Sequence, residues 1–358
     1  MLLVNNPGSW GAIYAPLQHA PWHGWTPTDL IFPFFLFIVG ITTHLATTAR
    51  RARGASDRVL VRQILTRGAL IVLFGLLLSA FPFFPLDRLT DLRIPGVLQR
   101  IGACYIVAAL LSLRTTLRQQ IAFVAVLLLG YWAAMTLIPV PGQSVTGRAL
   151  LDEPSASLAA WLDRTVFGSH LWRQSKTWDP EGLLSTVPAI GTTMLGVLTG
   201  RWLGTTKPLA ERVMGLFGVG SLMMVLGLIW HWAFPINKNL WTSSYVLFSG
   251  GMAAAALATC IWLIDALALR SWTRPFEVFG VNPLLAFLGS GMMARLIYSV
   301  IKVSHDGEAV PVQSVIYEAL YGSWLAPRNA SLLFAVTFVL FWVALLWILY
   351  RQRVYLRV

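Results

Sequence analysis

The residues best suited to acid–base or acyl-transfer chemistry lie near the start of the chain. Gln18-His19-Ala20-Pro21-Trp22-His23-Gly24-Trp25-Thr26-Pro27-Thr28-Asp29 runs directly into Leu30-Ile31-Phe32-Pro33. A neutral imidazole at His19 can take a proton from an amine or hydroxyl near neutral pH, or attack an activated acyl group itself. The plain alternative is an interfacial histidine among tryptophans. His23 offers the same chemistry with less support, and His44, deep in an apolar run, reads as a packing residue. Asp29 stands where the chain enters that run, so it can cap a helix, orient His19 or pair with an intramembrane arginine. All three readings stay open.

A second cluster is Trp172-Arg173-Gln174-Ser175-Lys176-Thr177-Trp178-Asp179-Pro180-Glu181-Gly182. Asp-Pro-Glu is an ordinary helix start, which is the simpler reading. An indole face at Trp178 beside carboxylates at Asp179 and Glu181 also suits a sugar, stacked on its ring and bonded through hydroxyl or ammonium groups. Trp241, in Asn239-Leu240-Trp241-Thr242-Ser243-Ser244-Tyr245, belongs to another polar-aromatic stretch of this kind. Gln99-Arg100 places a permanent cation inside an apolar helix, at about 2.5–3.5 kcal/mol mid-membrane and less near an interface. Arg100 either snorkels or meets an anion, for which Asp29, Asp179 and Glu181 are the expected partners. Arg295 poses the same choice. Asn282-Pro283 marks a helix irregularity, and Asn282 joins Gln99 and Arg100 as a candidate for acyl-carrier contact or structural pairing. The sequence has no phosphate-binding glycine loop, dinucleotide fingerprint or metal-ligand spacing, so any cofactor must be held between helices.

The elements that position these groups are membrane helices. Of 358 residues, 56% are hydrophobic and 12% charged, with mean hydropathy +0.67, which excludes a soluble enzyme. Apolar stretches of spanning length fall at 30–49, 68–86, 119–147, 182–200, 213–237, 239–264 and 329–350. Two further helices, 96–113 and 278–301, carry Arg100 and Arg295. The expectation is an all-α, polytopic integral membrane protein with nine spans, organised as one domain over 1–358 with an outer segment 1–28 and a long outer loop 139–181. Placing 50–67, 114–118, 201–212, 265–277 and 351–358 on one side gathers 16 Lys and Arg there against 4 acids, while the opposite segments hold 9 and 11. By the positive-inside rule the first side is cytoplasmic, with the C-terminus on it, and His19 lies outside. The formal charge of +12 follows from orientation, with anionic lipid headgroups as partners of Arg50, Arg51 and Arg53. Nucleic acid is not needed. Cys104 and Cys260 give no disulfide or zinc spacing.

Together these stretches resemble the transmembrane acyltransferase family typified by heparan-alpha-glucosaminide N-acetyltransferase and its bacterial relatives in N-acetylglucosamine use. The resemblance rests on Val4-Asn5-Asn6-Pro7-Gly8, Gln18 to Gly24, Asp29 to Pro33, Arg93-Ile94-Pro95-Gly96-Val97-Leu98-Gln99-Arg100, Thr177 to Gly182 and Leu240 to Tyr245. It implies transfer of acetyl from cytoplasmic acetyl-CoA, a co-substrate rather than a permanently bound cofactor, to an amino sugar on the far side of the bacterial inner membrane. It also implies that His19 and Asn5 form the active centre and that a helix precedes the asparagine, one this chain lacks. A ternary complex fits these residues, with Asn5 on the thioester oxygen and His19 deprotonating the acceptor. Acetyl-CoA, the amino sugar and membrane lipids are the expected partners, with a homodimer left open. The competing class is a sugar permease, which internal prolines, outer tryptophans and intramembrane arginines would also suit, though no inverted repeat supports it.

Overall fold

The computed structural model describes residues 1–143, 145, 147–305 and 307–356, without the side chains of 87, 88 and 305. The charges at 306 and 357 counted in the topology lie outside the described residues. Short helix α1 (Leu2–Asn5) precedes the first long helix, α2 (Ile31–Ala52). Then follow α3 (Asp57–Ala80), α4 (Val97–Arg114), α5 (Leu117–Leu137), outer α6 (Leu158–Phe167), α7 (Leu183–Leu203), α8 (Leu209–His231), α9 (Ser243–Ile261), short α10 (Arg274–Val281) and α11 (Pro283–Arg295). An outer hairpin of β1 (Lys302–His305) and β2 (Glu308–Pro311) leads to α12 (Val312–Tyr317) and α13 (Pro327–Arg351). Among the described residues, nine helical segments are long and apolar enough to cross a membrane. The protein is a multi-pass integral membrane protein.

The helix ends follow local chemistry. Helices α2, α4, α7 and α13 all carry arginine in their last turn, Arg50 and Arg51, Arg114, Arg201 and Arg351. There it meets both the negative end of the helix dipole and the headgroup layer. Helix α3 begins at Asp57, eleven residues before the expected 68, because Arg58, Arg62 and Arg67 occupy ordinary helical turns beyond the apolar stretch. Helix α5 ends at Leu137 rather than 147, just before Pro139 and Pro141. The chain from 232 to 242 is a turn rather than helix, exposed at Trp232 and largely buried from Phe234 onward, and α11 starts at Pro283 rather than 278. The expected loop 139–181 contains α6, and the β-hairpin is an addition the apolar pattern did not suggest.

Close approach of small residues binds the helices that carry the site. A Cβ on Gly40 of α2 would strike the Thr193 carbonyl of α7, and one on Gly196 of α7 would strike the Phe37 carbonyl of α2. Helices α8 and α9 meet similarly, where a Cβ on Gly227 would lie 2.8 Å from the Ser244 carbonyl. In lipid there is little hydrophobic drive between helices, so backbone proximity and dispersion carry association. Around these contacts Leu36, Cys104, Ala108, Met194, Val197 and Tyr245 form a continuous buried core beneath the outer segment. Substituting Val at Gly196 should therefore lower the thermal midpoint in detergent by several degrees and disperse the folded peak. Ala at Gly218, whose Cβ would meet nothing within 4 Å, should leave both unchanged or slightly improved, by up to about 1 kcal/mol.

Candidate active site

The site is built outward from the start of α2. Residues Pro27–Leu30 form a single 3-10 turn that leads into that helix. Its Asp29 carboxylate accepts the backbone N–H groups of Thr26 and Ala20 through Oδ2, each at 3.0 Å. The other oxygen, Oδ1, lies 2.6 Å from His19 Nδ1. Asp29 thus caps the helix and orients the histidine at once, so two of the open readings hold together. An ionised carboxylate can only accept, so Nδ1 carries the proton and the lone pair rests on Nε2. Tyr245, wholly buried in α9, donates its hydroxyl to the Asp29 carbonyl at 2.5 Å and fixes the turn from below. Asp29 is buried to 2% side-chain exposure while His19 stays 51% exposed, so one end of the pair is locked and the other faces outward.

His19 opens onto a cavity of about 520 Å³ shared with Asn5, Trp172, Trp178, Glu181 and Lys238. The segment bearing Asn5 is pinned from the far end of the chain. Tyr298 donates to the Pro7 carbonyl at 2.7 Å, Gln313 to the Gly8 carbonyl at 2.7 Å, and Gly8 N–H to the Ser331 carbonyl at 3.2 Å. Trp22 and Trp172 both stack edge-on against Trp178, at 5.2 and 5.5 Å between ring centres. The indole N–H of Trp22 is held by the Leu151 carbonyl at 2.7 Å, which folds the outer loop over the His19 segment. His23 is occupied elsewhere, with Nε2 2.9 Å from Asp152 and Nδ1 3.3 Å from Asn237.

The expected pairing of Arg100 with a carboxylate does not form. Arg93, in the turn before α4, takes both acids: it grips Asp179 at 2.8 and 2.6 Å and Glu181 at 2.5 Å. Burial works against the Arg93 charge, but the two carboxylates outweigh it and raise its pKa above the ordinary value. Arg100 begins more than one turn deeper and meets only the first turn of α7, through the Gly182 carbonyl at 3.3 Å, Thr186 at 3.2 Å and Ser185. Its guanidinium stands 5.0 Å over the Trp241 ring. Trp241 in turn is 1% exposed and packs on Phe32 and Tyr245. It supports the floor rather than lining the cavity. Gln99 braces the turn through the Ile94 carbonyl at 3.0 Å. Asn282 sits at the opposite end of the bundle, tying Leu356 N–H and the Val354 carbonyl.

Three site residues escaped the sequence reading. Asp163 of α6 accepts the N–H groups of Asp179 and Leu183 at 3.3 and 2.9 Å, and so aligns the carboxylate turn. Arg93 lay inside a quoted motif without a role. Lys238, the one cation in a short outer turn between two apolar spans, places Nζ 3.2 and 3.5 Å from the two ring nitrogens of His19. It is 3.7 Å from Asp29. Burial draws the Lys238 pKa down, with Glu181 and Asp29 opposing. Its isolation among apolar spans was a usable signal. Among the described residues, no group of three His, Cys, Asp or Glu side chains is placed to hold a metal ion.

An exposed histidine held by a buried aspartate at one mouth of a helical membrane bundle, beside tryptophans and carboxylates, is an arrangement suited to a membrane-embedded protein that handles a polar ligand at its surface. Residues 9–227 match the family model described as heparan-alpha-glucosaminide N-acetyltransferase, catalytic. The human heparan-alpha-glucosaminide N-acetyltransferase is 30% identical over 331 residues, covering 78% of this chain and 49% of the relative. The mouse protein of the same name is 30% identical over 328 residues, covering 78% and 50%. The chain belongs to the heparan-alpha-glucosaminide N-acetyltransferase family, and it spans about half the length of the curated relatives it matches.

The Asp163 carboxyl carries a pH signature. Burial, and then the neighbouring charge of Asp179, push its pKa up to about 6 from 3.8, against the two backbone hydrogen bonds. Between those values the folded protein binds more protons than the unfolded chain, so this group's contribution to stability falls as pH rises from about 4 to about 6. The loss is of the order of 3 kcal/mol. Thermal unfolding of wild type and Asp163→Asn across pH 4 to 8 should show profiles that diverge over that interval, with the variant gaining relative stability on the alkaline side. Parallel profiles would remove the carboxyl from this role.

Proposed function

We propose that this protein transfers an acetyl group from acetyl-CoA on the cytoplasmic side to the amine of an amino sugar on the opposite side. The observation that carries the proposal is that the His19 cavity abuts a second cavity of about 520 Å³. The two share Met1, Ile31, Phe32 and Val97 in their walls. The second is lined by apolar side chains such as Phe35, Val39, Ile71 and Phe287, and it reaches Arg50 and Arg67 at the other end of the bundle. Along α2 the nineteen steps from Ile31 to Arg50 span about 28 Å, close to the thickness of a bilayer core. Among the described residues neither arginine has a carboxylate partner: Arg50 bonds Gln63 at 2.9 Å and Arg67 stands 5.3 Å over the Tyr105 ring.

An acetyl-CoA bound in this way leaves its phosphates with Arg50 and Arg67 and threads its arm through the apolar passage. Its thioester then meets Asn5 and His19. The acceptor amine docks against Trp172, Trp178 and Glu181, and His19 Nε2 takes the proton that the amine loses as its nitrogen bonds to the acetyl carbon. The Asn5 amide stabilises the oxygen charge that develops, and the carbon–sulfur bond breaks to release the thiolate on the arm. Asp29 holds the ring for this transfer. Trp241, Gln99 and Arg100 support the floor, Asp179 serves Arg93, and Asn282 shapes the cytoplasmic end. The excess of Lys and Arg on the Arg50 side supports this orientation.

The test is the purified full chain in lipid discs with acetyl-CoA and a panel of amino sugars. His19→Ala should lower turnover by about 100-fold or more, the scale of a general base, with little change in the KM for acetyl-CoA. Arg50→Gln with Arg67→Gln should raise that KM by about tenfold, as expected for lost charge-assisted contacts to phosphate. Wild-type turnover in His19→Ala, or counterflow of free sugar without acetylation, would overturn the proposal. Single cysteines at Ser56 and Gln174, both exposed, should label from opposite sides of sealed cells, with Gln174 outside.

A further inference from the structure

We propose that Lys238 is a positioning residue of the transfer, whose cation over the face of the His19 ring keeps that imidazole neutral with Nε2 free. Its purpose rests on the acetyl-transfer reading, whereas its geometry does not. A nitrogen 3.2 Å from Nδ1 and 3.5 Å from Nε2 at once stands over the ring rather than on the line of either in-plane ring position. The Nδ1 position is already filled by the bond to Asp29, and of the two separations the longer is the one to Nε2. Lys238 therefore neither competes for the lone pair nor blocks the acceptor.

The turn that presents Lys238 is rigid by construction. Asn237, wholly buried, donates its N–H to Thr242 Oγ at 3.1 Å, accepts from Leu240 N–H at 2.9 Å, and reaches His23 through its amide. Tyr131 holds the Leu240 carbonyl at 2.5 Å. The backbone of Lys238 is thus fixed by its neighbours, and its ammonium is held beside Asp29 and the His19 ring.

Charge decides what it does there. Asp29 and Lys238 together leave the histidine's immediate surroundings neutral. Glu181 and Arg93 face it across the cavity with the Met1 amino group, while Asp179 lies behind Arg93 and Arg100 lies below. Arg93 is matched by its two carboxylates. A proton added to His19 would set two cations 3.2 Å apart with one carboxylate between them, a repulsion that favours the neutral ring. Asp29 alone would do the reverse: a lone carboxylate bonded to Nδ1 stabilises imidazolium and would take the base out of service in acid. Asp29 supplies the tautomer, and Lys238 cancels its side effect.

The experiment measures the reactivity of His19 itself. Diethyl pyrocarbonate attacks only neutral imidazole, and modification of His19 in the full chain can be followed by peptide mass spectrometry from pH 5 to 8. In Lys238→Met and Lys238→Gln, the pH of half-maximal rate should move up by about one unit, so that modification in acid slows about tenfold. Lys238→Arg should keep the wild-type profile. In the transfer assay the acid limb of kcat/KM should move by the same amount, with KM for acetyl-CoA unchanged. An unchanged modification profile in both uncharged variants would overturn the inference. So would a transfer defect confined to the alkaline limb, which would make Lys238 a proton donor. Should wild type acetylate no amino sugar while the modification profile still shifts, the proposed activity falls and the action of Lys238 on His19 stands.

Discussion

The hydrogen bond between Asp29 and His19 is the constraint on which the outer half of the molecule depends. A carboxylate at a membrane helix start is stabilised by free backbone N–H groups, and Asp29 takes two such bonds from Thr26 and Ala20. Those same bonds bend the chain from residue 18 back over the helix, which brings His19 onto the remaining oxygen. Helix initiation and the seating of the His19 ring are one structure here. Loss of the carboxylate would free the outer segment as well as the imidazole, and Tyr245 below would be left holding a turn with nothing to orient.

Polar groups beside this pair are tolerated because each buried charge is satisfied in a different way. Asp179, with no side-chain exposure, and Glu181, at 8%, share Arg93 in a compact ion triad, where paired geometry offsets the loss of hydration. Among the described residues Arg100 has no such partner and rests on carbonyl and hydroxyl oxygens and on the Trp241 face, with its Nη1 unpaired there. Cation–π contact is stronger when both groups are dry, which suits an arginine 2% exposed. The arrangement places the triad in the loop and the lone cation below it. Glu181, which lines the cavity, is therefore already oriented by Arg93.

Much of this was legible in the sequence. The nine spans followed from hydropathy. Helix ends were less legible, since a reading based on apolar windows stops at the first charge, whereas α3 continues through three arginines to Asp57. The pairing of arginines was not legible. Arg93 and Arg100 are seven residues apart, about two helical turns, and only the turn before α4 decides which of them reaches the carboxylates. The role of Lys238 was hidden for a different reason. Its neighbour in space is 219 residues away in sequence, and no local pattern encodes a contact of that kind.

The same long range explains why the two ends of the chain act as one unit at the site. Asn5 lies on four residues of helix that bury no residue of their own, so α1 cannot hold its place by packing alone. What fixes it is the backbone of 7–9, bonded to Tyr298, Gln313 and Ser331. Gly8 shows how tight this seat is, since a Cβ there would strike the Tyr317 ring, 2.5 Å away. The family model covers 9–227, so both Asn5 and the elements that seat it lie outside the matched region. The histidine is positioned by its own helix start, close in sequence, whereas the asparagine is positioned by α12, α13 and the turn that follows α11. The candidate site is thus assembled from one local and one remote constraint. The remote one depends on helices α11 to α13, whose α11 also walls the second cavity through Phe287, so the seat of Asn5 and the walls of that cavity are set by the same part of the bundle.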